Sequence, residues 1–397
     1  MIKRLIPVAI ATLAICAVVL PNAAAATNVS AAAAASVQVS VVAAGFDSPR
    51  GVAISDGHIL VGESGHGGDV CIPSPYGPNC IGLSSQISLV DARTGAHHPL
   101  VSGLFSSVFG AVGPIGVEGI SVRHEKVLAI LGLNSRLFES IDCSAQPPDC
   151  ATVKAAAVAE SGHLISVSEN GRWRPVASVG AFDFDHIGDH LAENPQQKDE
   201  SNPFGVLATE HGALVANAAS GTLDFVSNGG NIKLVHYFQF HPPVGAFPSD
   251  EVPTCIVRAN GHVWMGDLNG RLFRMDGSTP TQIPVVDGSG AALLHHVTGC
   301  STANDDDGVI YLVNLWTTDG LPAPNTGSVV RYNVEGGSAS IVTDKLNFPN
   351  MVAVSQGRTL YVSANSVCPA DGGPPTACQF MGQTSGVLLK ITQPERN

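Results

Sequence analysis

The chain has 397 residues, of which 44% are hydrophobic and 13% are charged, with 43 Gly and 26 Pro. This composition fits a globular protein built from short strands and turns, and it excludes a disordered chain. A formal net charge of -13 with only 20 Lys and Arg argues against nucleic acid and anionic lipid as partners, whereas cations and basic partners are compatible with it.

The first 26 residues have the layout of a secretory signal peptide. Lys3 and Arg4 precede an apolar core over residues 5–20, and Pro21 and a run of small residues follow it. This core is shorter than the roughly 20 residues of a membrane span, and no later stretch is apolar for long enough. We therefore expect residues 1–26 to be a cleaved leader and 27–36 a flexible mature N-terminus. The protein is expected to be secreted, with association with the cell envelope as a variant of that localisation.

Cleavage would remove Cys16 and leave eight cysteines, an even number that suits disulfide bonds in an exported chain. Eight cysteines allow many connectivities, but a metal site is disfavoured because no CxxC spacing occurs. Three pairs are close in sequence, and the fourth follows by elimination. The predicted pairs are Cys71 with Cys80, Cys143 with Cys150, Cys368 with Cys378, and Cys255 with Cys300.

One pattern recurs six times along the chain: a Pro or small residue, an apolar strand, a Gly turn, a second apolar strand and a polar stop. Examples are SPRGVAISDGHILVGES, NPFGVLATEHGALVANA and FPNMVAVSQGRTLYVSANS. Each copy continues into a third and usually a fourth apolar segment. Four antiparallel strands repeated six times predict an all-β fold, a six-bladed β-propeller with four-stranded blades. Because no linker separates the repeats, residues 37–397 are expected to form a single domain.

The two ends of the chain are expected to close the ring. The last repeat has only SGVLLKITQ as its third strand, and the N-terminal SVQVSVVAAGFDSP resembles SIVTDKLNFP, the passage from blade five to blade six. The N-terminal strand should therefore complete blade six and remove an exposed edge.

The start of each first strand and the end of each second strand should lie on one face of the disc, which we name the loop face. Long loops of blades one, two, five and six open onto it, as does the insertion AFDFDHIGDHLAENPQQKDES between blades two and three. Three of these loops contain a local Cys pair. Cross-linked long loops over a rigid scaffold are where binding usually resides.

Polar residues at the strand ends on this face are candidates for a ring around the channel mouth. Oxygen ligands of this kind suit calcium, although Asn and Asp also end strands by bonding the next turn, which is the favoured interpretation for any single position. Glu63 and Asp267 are the candidate calcium ligands, because a carboxylate near a crowded channel is costly without a cation or donor. Arg50 could be that donor. The candidate ligand-binding residues are Arg50, Glu63, Glu118, Asn217, Asp267, Asn314 and Asn350, with Asn134, Asn365, Thr254 and Thr298 at equivalent positions.

A second metal hypothesis concerns the segment DFDHIGDH, where Asp185, His186, Asp189 and His190 would share one face if helical and could hold zinc. A solvated acidic loop is the favoured interpretation, since no third spaced ligand follows and flanking Gly and Pro weaken the helix. No nucleophile elbow, phosphate-binding glycine motif or dinucleotide fingerprint occurs, so an enzymatic function rests on the channel mouth alone.

Several segments resemble the ScyD/ScyE family: GFDSPRGVAI, GESGHGGD followed by CIPSPYGPNC, DESNPFGVLA, EVPTC and SANSVCPADGG. The likeness spans about residue 40 to the C-terminus. It implies an exported NHL-like or TolB-like six-bladed propeller, in a family named for an association with scytonemin pigment biosynthesis in cyanobacteria. It implies no catalytic residue. The histidines of DFDHIGDH and the Cys255/Cys300 pair depart from the family pattern.

Three functional hypotheses follow. The leading one is a secreted, monomeric propeller that binds a small molecule, glycan or protein on the loop face without catalysis and without a required cofactor. The alternative is a calcium-dependent hydrolase or lactonase with calcium held by Glu63 and Asp267, for which distant six-bladed relatives offer only an analogy. The third is a purely structural protein of the cell envelope.

Overall fold

The computed structural model describes residues 36–74, 77–109, 113–190, 200–238, 251–318, 321–355, 359–371 and 378–394. The expected leader 1–26 and all but the last residue of the segment 27–36 lie outside this part of the chain. Within the unit Ser36–Asn397, the described strands form six antiparallel sheets, one for each sequence repeat. No helix in the described residues is long and apolar enough to cross a membrane.

The sheets follow one another along the chain, except that β1 (Gln38–Phe46) belongs to the last of them. Blade one contains β2 (Pro49–Ser55), β3 (His58–Glu63), β5 (Asn79–Asp91) and β6 (His97–Phe109), extended by β4 (Val70–Ile72) and β7 (Gly113–Ile115). Blade two contains β8 (Val117–Arg123), β9 (Lys126–Leu131), β10 (His163–Val167) and β11 (Trp173–Ser178). Blade three contains β12 (Pro203–Thr209), β13 (Gly212–Asn217), β14 (Thr222–Ser227) and β15 (Ile232–Tyr237).

The second half of the ring repeats the arrangement. Blade four contains β16 (Pro253–Ala259), β17 (His262–Asp267), β18 (Leu272–Asp276) and β19 (Thr279–Ile283). Blade five contains β20 (Val297–Ser301), β21 (Val309–Asn314), β22 (Gly327–Asn333) and β23 (Ala339–Leu346). Blade six contains β24 (Val352–Val354), β25 (Leu360–Ala364) and β26 (Gly386–Thr392), and β1 is its fourth strand. The described helices are α1 (Cys150–Glu160), α2 (Val179–His186) and the short 3-10 helices Ser135–Leu137 and Ile187–His190.

The ring closes as the sequence predicts. β1 pairs antiparallel with β26, from Gln38 opposite Thr392 to Phe46 opposite Gly386. The outer strand of blade six therefore comes from the N-terminal part of the chain, while its inner strands come from the C-terminal part. The prediction of a six-bladed, all-β propeller closed by its N-terminal strand is confirmed.

The first strands meet close to the loop face in a ring of equivalent residues that we name the neck. In five blades the pairing of the first and second strands shifts there by a β-bulge, which leaves the neck residue without a register partner. All neck residues are buried. They are Arg50, Glu118, Phe204, Thr254, Thr298 and Asn350.

Glycine lets neighbouring blades approach at the neck. A methyl group on Gly205 would lie 2.5 Å from the carbonyl oxygen of Thr254 in the next blade, and one on Gly119 would lie 2.6 Å from that of Phe204. These positions follow directly on neck residues, so the backbones of adjacent first strands pack against each other with no room for a side chain. Gly51 and Gly299 contact the next blade in the same way.

All four predicted disulfides are present: Cys71–Cys80, Cys143–Cys150, Cys255–Cys300 and Cys368–Cys378. Three of them cross-link loops on the loop face. The fourth joins the first strands of blades four and five, because Cys255 follows Thr254 where blades one, two, three and five have glycine. A covalent bond thus replaces the glycine contact at this blade junction.

The loops of blades one and two contact each other on the loop face. Gln146 donates a hydrogen bond from Nε2 to the carbonyl oxygen of Cys71 over 3.0 Å. Helix α1 in the blade-two loop is fixed to blade one by Glu160, whose Oε2 accepts from the backbone N–H of Phe105 over 2.7 Å. The rings of Phe105 and Phe138 pack beside this bond with centroids 5.1 Å apart. The two cross-linked loops therefore form one continuous surface.

We expect Gly205→Ala to lower the free energy of unfolding by about 1–3 kcal/mol, because the added methyl group forces two first strands apart. Gly288→Ala is the matched control, since nothing lies within 4 Å of a methyl group there. Urea unfolding followed by circular dichroism measures both. Equal stability of the two variants would contradict close packing at the neck.

Candidate functional site at the neck

Arg50 and Glu118 are the neck residues of blades one and two, and the structure brings them together. Arg50 Nε lies 3.8 Å from Glu118 Oε2, and Arg50 Nη2 donates to the carbonyl oxygen of Pro114 over 2.9 Å. Glu118 Oε1 accepts from the backbone N–H of Gly116 over 3.1 Å and from Ser64 Oγ over 3.3 Å. Burial raises the pKa of Glu118, while the Arg50 guanidinium acts in the opposite direction.

Two polar atoms of this pair have no hydrogen-bond partner among the described residues: Arg50 Nε and Glu118 Oε2. Arg50 Nε is a hydrogen-bond donor and Glu118 Oε2 is a hydrogen-bond acceptor. Their separation of 3.8 Å allows an ion pair but is longer than a hydrogen bond. A small polar group of a ligand could contact both.

Asn350 is the neck residue of blade six, the neighbour of blade one in the ring. Its backbone is engaged, since its N–H donates to Ser363 O over 2.9 Å and its carbonyl accepts from Thr298 Oγ1 over 2.8 Å. Its side chain is fully buried, and in the described part of the chain neither Oδ1 nor Nδ2 has a partner. Three consecutive blades therefore present unused polar atoms at the neck.

The other half of the neck offers little. Thr254 Oγ1 donates to Val297 O over 2.6 Å, and the Thr298 hydroxyl is used by Asn350, so both threonines join neighbouring blades. Phe204 contributes an apolar side chain. The candidate site is thus confined to Arg50, Glu118 and Asn350.

Asn217 and Asn314, at the ends of second strands, have both atoms of their amides occupied. Asn217 Oδ1 accepts from the backbone N–H of Asn202 over 2.7 Å, and its Nδ2 donates to Ser201 Oγ and to Asp183. Asn314 Oδ1 accepts from the backbone N–H of His295 over 3.1 Å, and its Nδ2 donates to Leu293 O and Ser328 Oγ. Both residues bind the segment that leads into their own blade, which favours the turn interpretation over a ligand role.

Glu63 has the same arrangement in blade one. Its Oε2 accepts from the backbone N–H of Asp47 over 2.7 Å, and its Oε1 accepts from Gln86 Nε2 over 2.8 Å and from Ser88 Oγ. Burial raises the pKa of Glu63, and these hydrogen bonds oppose the shift. The hydrogen-bond donors that the buried Glu63 carboxylate requires are thus supplied by the residues just named. Arg50 is not one of them and forms an ion pair with Glu118 instead.

Asp267 of blade four is buried against Arg271, whose Nε donates to Oδ2 over 2.9 Å and whose backbone N–H donates to Oδ1 over 2.8 Å. Arg271 also contacts Glu251 over 3.2 Å. Burial raises the pKa of Asp267 to about 6 although Arg271 opposes the shift. Glu63 and Asp267 lie in blades one and four, on opposite sides of the ring, and share no contact. The structure does not bring the two expected calcium ligands together.

Of the equivalent positions, Asn365 has both amide atoms paired, whereas Asn134 Oδ1 has no hydrogen-bond partner among the described residues. Asn365 Oδ1 accepts from Asn347 Nδ2 over 2.8 Å, and Asn134 Nδ2 lies 3.5 Å from Ser201 O. Among the described residues, no three His, Cys, Asp or Glu side chains are grouped so that they could hold a metal ion.

The candidate zinc segment is divided between two helices, because α2 ends at His186 and Asp189 and His190 belong to the following 3-10 helix. Asp185 forms an ion pair with Arg136, and His186 Nδ1 lies 2.7 Å from Phe182 O. The four residues therefore do not share one helical face.

A buried pair of carboxyl groups, Asp183 and Asp224, was not identified from the sequence. Asp183 reaches from α2 to blade three, where its Oδ2 accepts from Asn217 over 2.6 Å and lies 2.8 Å from Thr222 Oγ1. Thr222 Oγ1 is also 3.0 Å from Asp224 Oδ2, but a hydroxyl group has one proton to donate. Burial and the charge of Asp183 hold the pKa of Asp224 well above its usual value, which favours a protonated Asp224 that can donate to Thr222. An Asp at an inward position of a strand was the available sequence signal.

No protein-family model and no curated protein matches the chain. Solved structures share its fold. A protein of unknown function from Bacteroides thetaiotaomicron is 10% identical with a TM-score of 0.55, over 90% of this chain and 76% of that chain. A gluconolactonase from Xanthomonas campestris is 8% identical with a TM-score of 0.50, over 90% of each chain. A PQQ-bound aldose sugar dehydrogenase from Streptomyces coelicolor is 13% identical with a TM-score of 0.45, over 90% of this chain and 99% of that chain. At such identities the first two similarities support the propeller fold and no activity.

We expect Asp224→Asn to remove part of the pH dependence of stability. A raised folded-state pKa stabilises the wild type below the unfolded value of about 3.9 and loses that contribution as pH rises through the folded value. The Asn amide donates to Thr222 at every pH, so at pH 8 the variant should be more stable by at least about 1 kcal/mol. Thermal unfolding between pH 4 and pH 8 measures this, with the exposed Asp189→Asn as control. Parallel pH profiles for wild type and Asp224→Asn would contradict the raised pKa of Asp224.

Proposed function

We propose that the protein is an exported, ScyD/ScyE-like propeller that binds a small polyhydroxylated molecule, or the end of a glycan, at the neck beneath the cross-linked loops. The observation that carries this proposal is the set of buried polar atoms without hydrogen-bond partners in the described chain: Arg50 Nε and Glu118 Oε2, which form an ion pair over 3.8 Å, and Oδ1 and Nδ2 of Asn350. A buried polar group left unpaired costs about 1–3 kcal/mol, so a ligand that pairs several of them gains affinity.

The chemistry of these atoms favours hydroxyl groups as the ligand. The set contains two donors, on Arg50 and Asn350, and two acceptors, on Glu118 and Asn350, and a hydroxyl group both donates and accepts. Because all three side chains are buried, only a small part of the ligand reaches them. The rest would lie against the joined loops of blades one and two.

Export and the family assignment belong to the same proposal. Four disulfides and the leader-like residues 1–26 support an oxidising location outside the cytoplasm, with secretion or retention at the cell envelope as the two forms of it. The ScyD/ScyE assignment rests on the resembling segments and on a fold that agrees with them. We propose a monomer.

A calcium-dependent hydrolase is the second candidate, and the oxygen atoms of Glu118 and Asn350 are what favours it. The Arg50 guanidinium, 3.8 Å from Glu118, disfavours a divalent cation at the same place. Glu63 and Asp267 would form separate sites at most, because each is already paired with its own protein donors.

Asn350→Leu tests the ligand site. Replacing an unpaired buried amide by an apolar side chain of similar size is expected to leave the melting temperature unchanged or to raise it. Binding of neutral mono- and oligosaccharides, screened on a glycan array and quantified by calorimetry, should weaken by at least about tenfold. Asn170→Ala, in an exposed turn on the opposite face, is the control and should bind as wild type.

The proposal fails if Asn350→Leu binds every glycan ligand as tightly as wild type. A variant that loses stability instead would show that Asn350 has a structural role. Glu118→Gln, which retains the shape of the side chain, then provides an independent measurement of binding at the same place.

Calcium is tested by its content in the purified protein and by the change in melting temperature on adding calcium chloride. We expect no stoichiometric calcium in wild type or in Glu118→Gln. We also expect that calcium chloride changes the melting temperature of neither protein. Because Glu63→Gln and Asp267→Asn remove internal hydrogen bonds, both should lose stability with or without calcium. Stoichiometric calcium that disappears in Glu118→Gln would favour the hydrolase instead.

A further inference from the structure

Below the neck, the central channel widens into a cavity of about 270 Å³. Its wall is formed by the first strands of all six blades, including Ala53, Ser121, Val206, Val257 and Val352. Each first strand is the edge of its sheet, so its outward backbone N–H and C=O groups face the cavity rather than another strand. The cavity opens toward the face opposite the loop face, where the first strands end.

One ion pair crosses this opening. Arg123 ends β8 in blade two, and Asp305 follows β20 in blade five, directly across the ring. Arg123 Nη1 donates to Asp305 Oδ2 over 2.7 Å. Asp305 lines the cavity, as does Val122 beside Arg123. The Arg123 Nε atom is buried and has no partner among the described residues, so the carboxylate uses only part of the guanidinium.

A second arginine, Arg258 at the end of the blade-four first strand, also lines the cavity. In the described part of the chain its guanidinium has neither an ion-pair nor a hydrogen-bond partner. The charged residues that line the cavity are Arg258 and Asp305, and the Arg123 guanidinium adjoins them through its ion pair with Asp305. Asp306 and Asp307 follow on the same loop, but neither lines the cavity, and Asp306 is exposed.

We propose that this opening is a second binding site, which takes the carboxylate or phosphate group of a small anion. Guanidinium groups bind such planar or tetrahedral oxyanions through two parallel hydrogen bonds, and the first strands that form the cavity wall are the edges of their sheets. The Asp305 carboxylate occupies the position beside Arg123 that the carboxylate or phosphate group of a ligand would take. An incoming anion displaces it and gains Arg258, which Asp305 does not engage.

The displacement of Asp305 predicts that removing its carboxylate increases affinity, and a comparison of Arg258 with an arginine elsewhere on the same face separates this site from a general charge effect. Titration calorimetry at low ionic strength uses inorganic phosphate and citrate as two probes, which distinguish phosphate from carboxylate ligands. Asp305→Asn should bind the preferred probe several-fold more tightly than wild type, because Arg123 loses its internal partner. Arg258→Gln should weaken binding by at least about tenfold.

Arg172→Gln is the matched control, since it removes an exposed arginine from a turn on the same face and should leave binding unchanged. Asn350→Leu should also leave it unchanged, so failure at the neck and failure at this site are distinguishable. Binding that is unchanged or weakened in Asp305→Asn would overturn the proposal. The proposal would also be overturned if Arg172→Gln and Arg258→Gln lost the same affinity. It would be overturned as well if Asp305→Asn bound neither phosphate nor citrate.

Discussion

The close backbone contact between neighbouring first strands at the neck is the constraint on which the rest of the ring depends. With the next carbonyl oxygen 2.5 Å from a methyl position at Gly205, no side chain fits between blades three and four at this point. The neck side chains beside these contacts are buried. The same tight packing that orders the blades thus concentrates polar groups in a small space. A wider ring would leave Arg50, Glu118 and Asn350 in bulk solvent.

The strand ends on the loop face divide into two kinds with different roles. Side chains that end second strands, such as Asn217 and Glu63, accept hydrogen bonds from the segment that leads into their own blade. At the neck, the side chains of Arg50, Glu118 and Asn350 retain atoms without hydrogen-bond partners among the described residues. The first kind stabilises each blade where the chain passes from one sheet to the next. The second kind is available to a ligand because the first has already fixed the backbone around it.

The sequence predicts those features that depend on repetition or on spacing along the chain. Six copies of a strand pattern indicate the propeller, the unfinished last copy indicates closure by β1, and elimination pairs Cys255 with Cys300. Features that depend on a partner from another element were harder. Nothing local to Asp267 shows that Arg271 folds back onto it, and the segment DFDHIGDH directs attention to Asp185, whereas Asp183, two residues earlier, is the one that faces blade three. The charges at the opening opposite the loop face, Arg123, Arg258 and Asp305, come from three separate blades and carry no shared motif.

The pairing of β1 with β26 fixes where the chain enters and leaves the ring. Gln38 lies opposite Thr392, at the end of both strands that is remote from the loop face. A tether, tag or surface attached at Gln38 or Thr392 would therefore hold the protein by the side that carries the Arg123–Asp305 opening. The cross-linked loops and the neck would then point away from the support. Immobilisation at these strand ends leaves one mouth of the channel accessible and crowds the other, so the orientation of display selects between the two mouths.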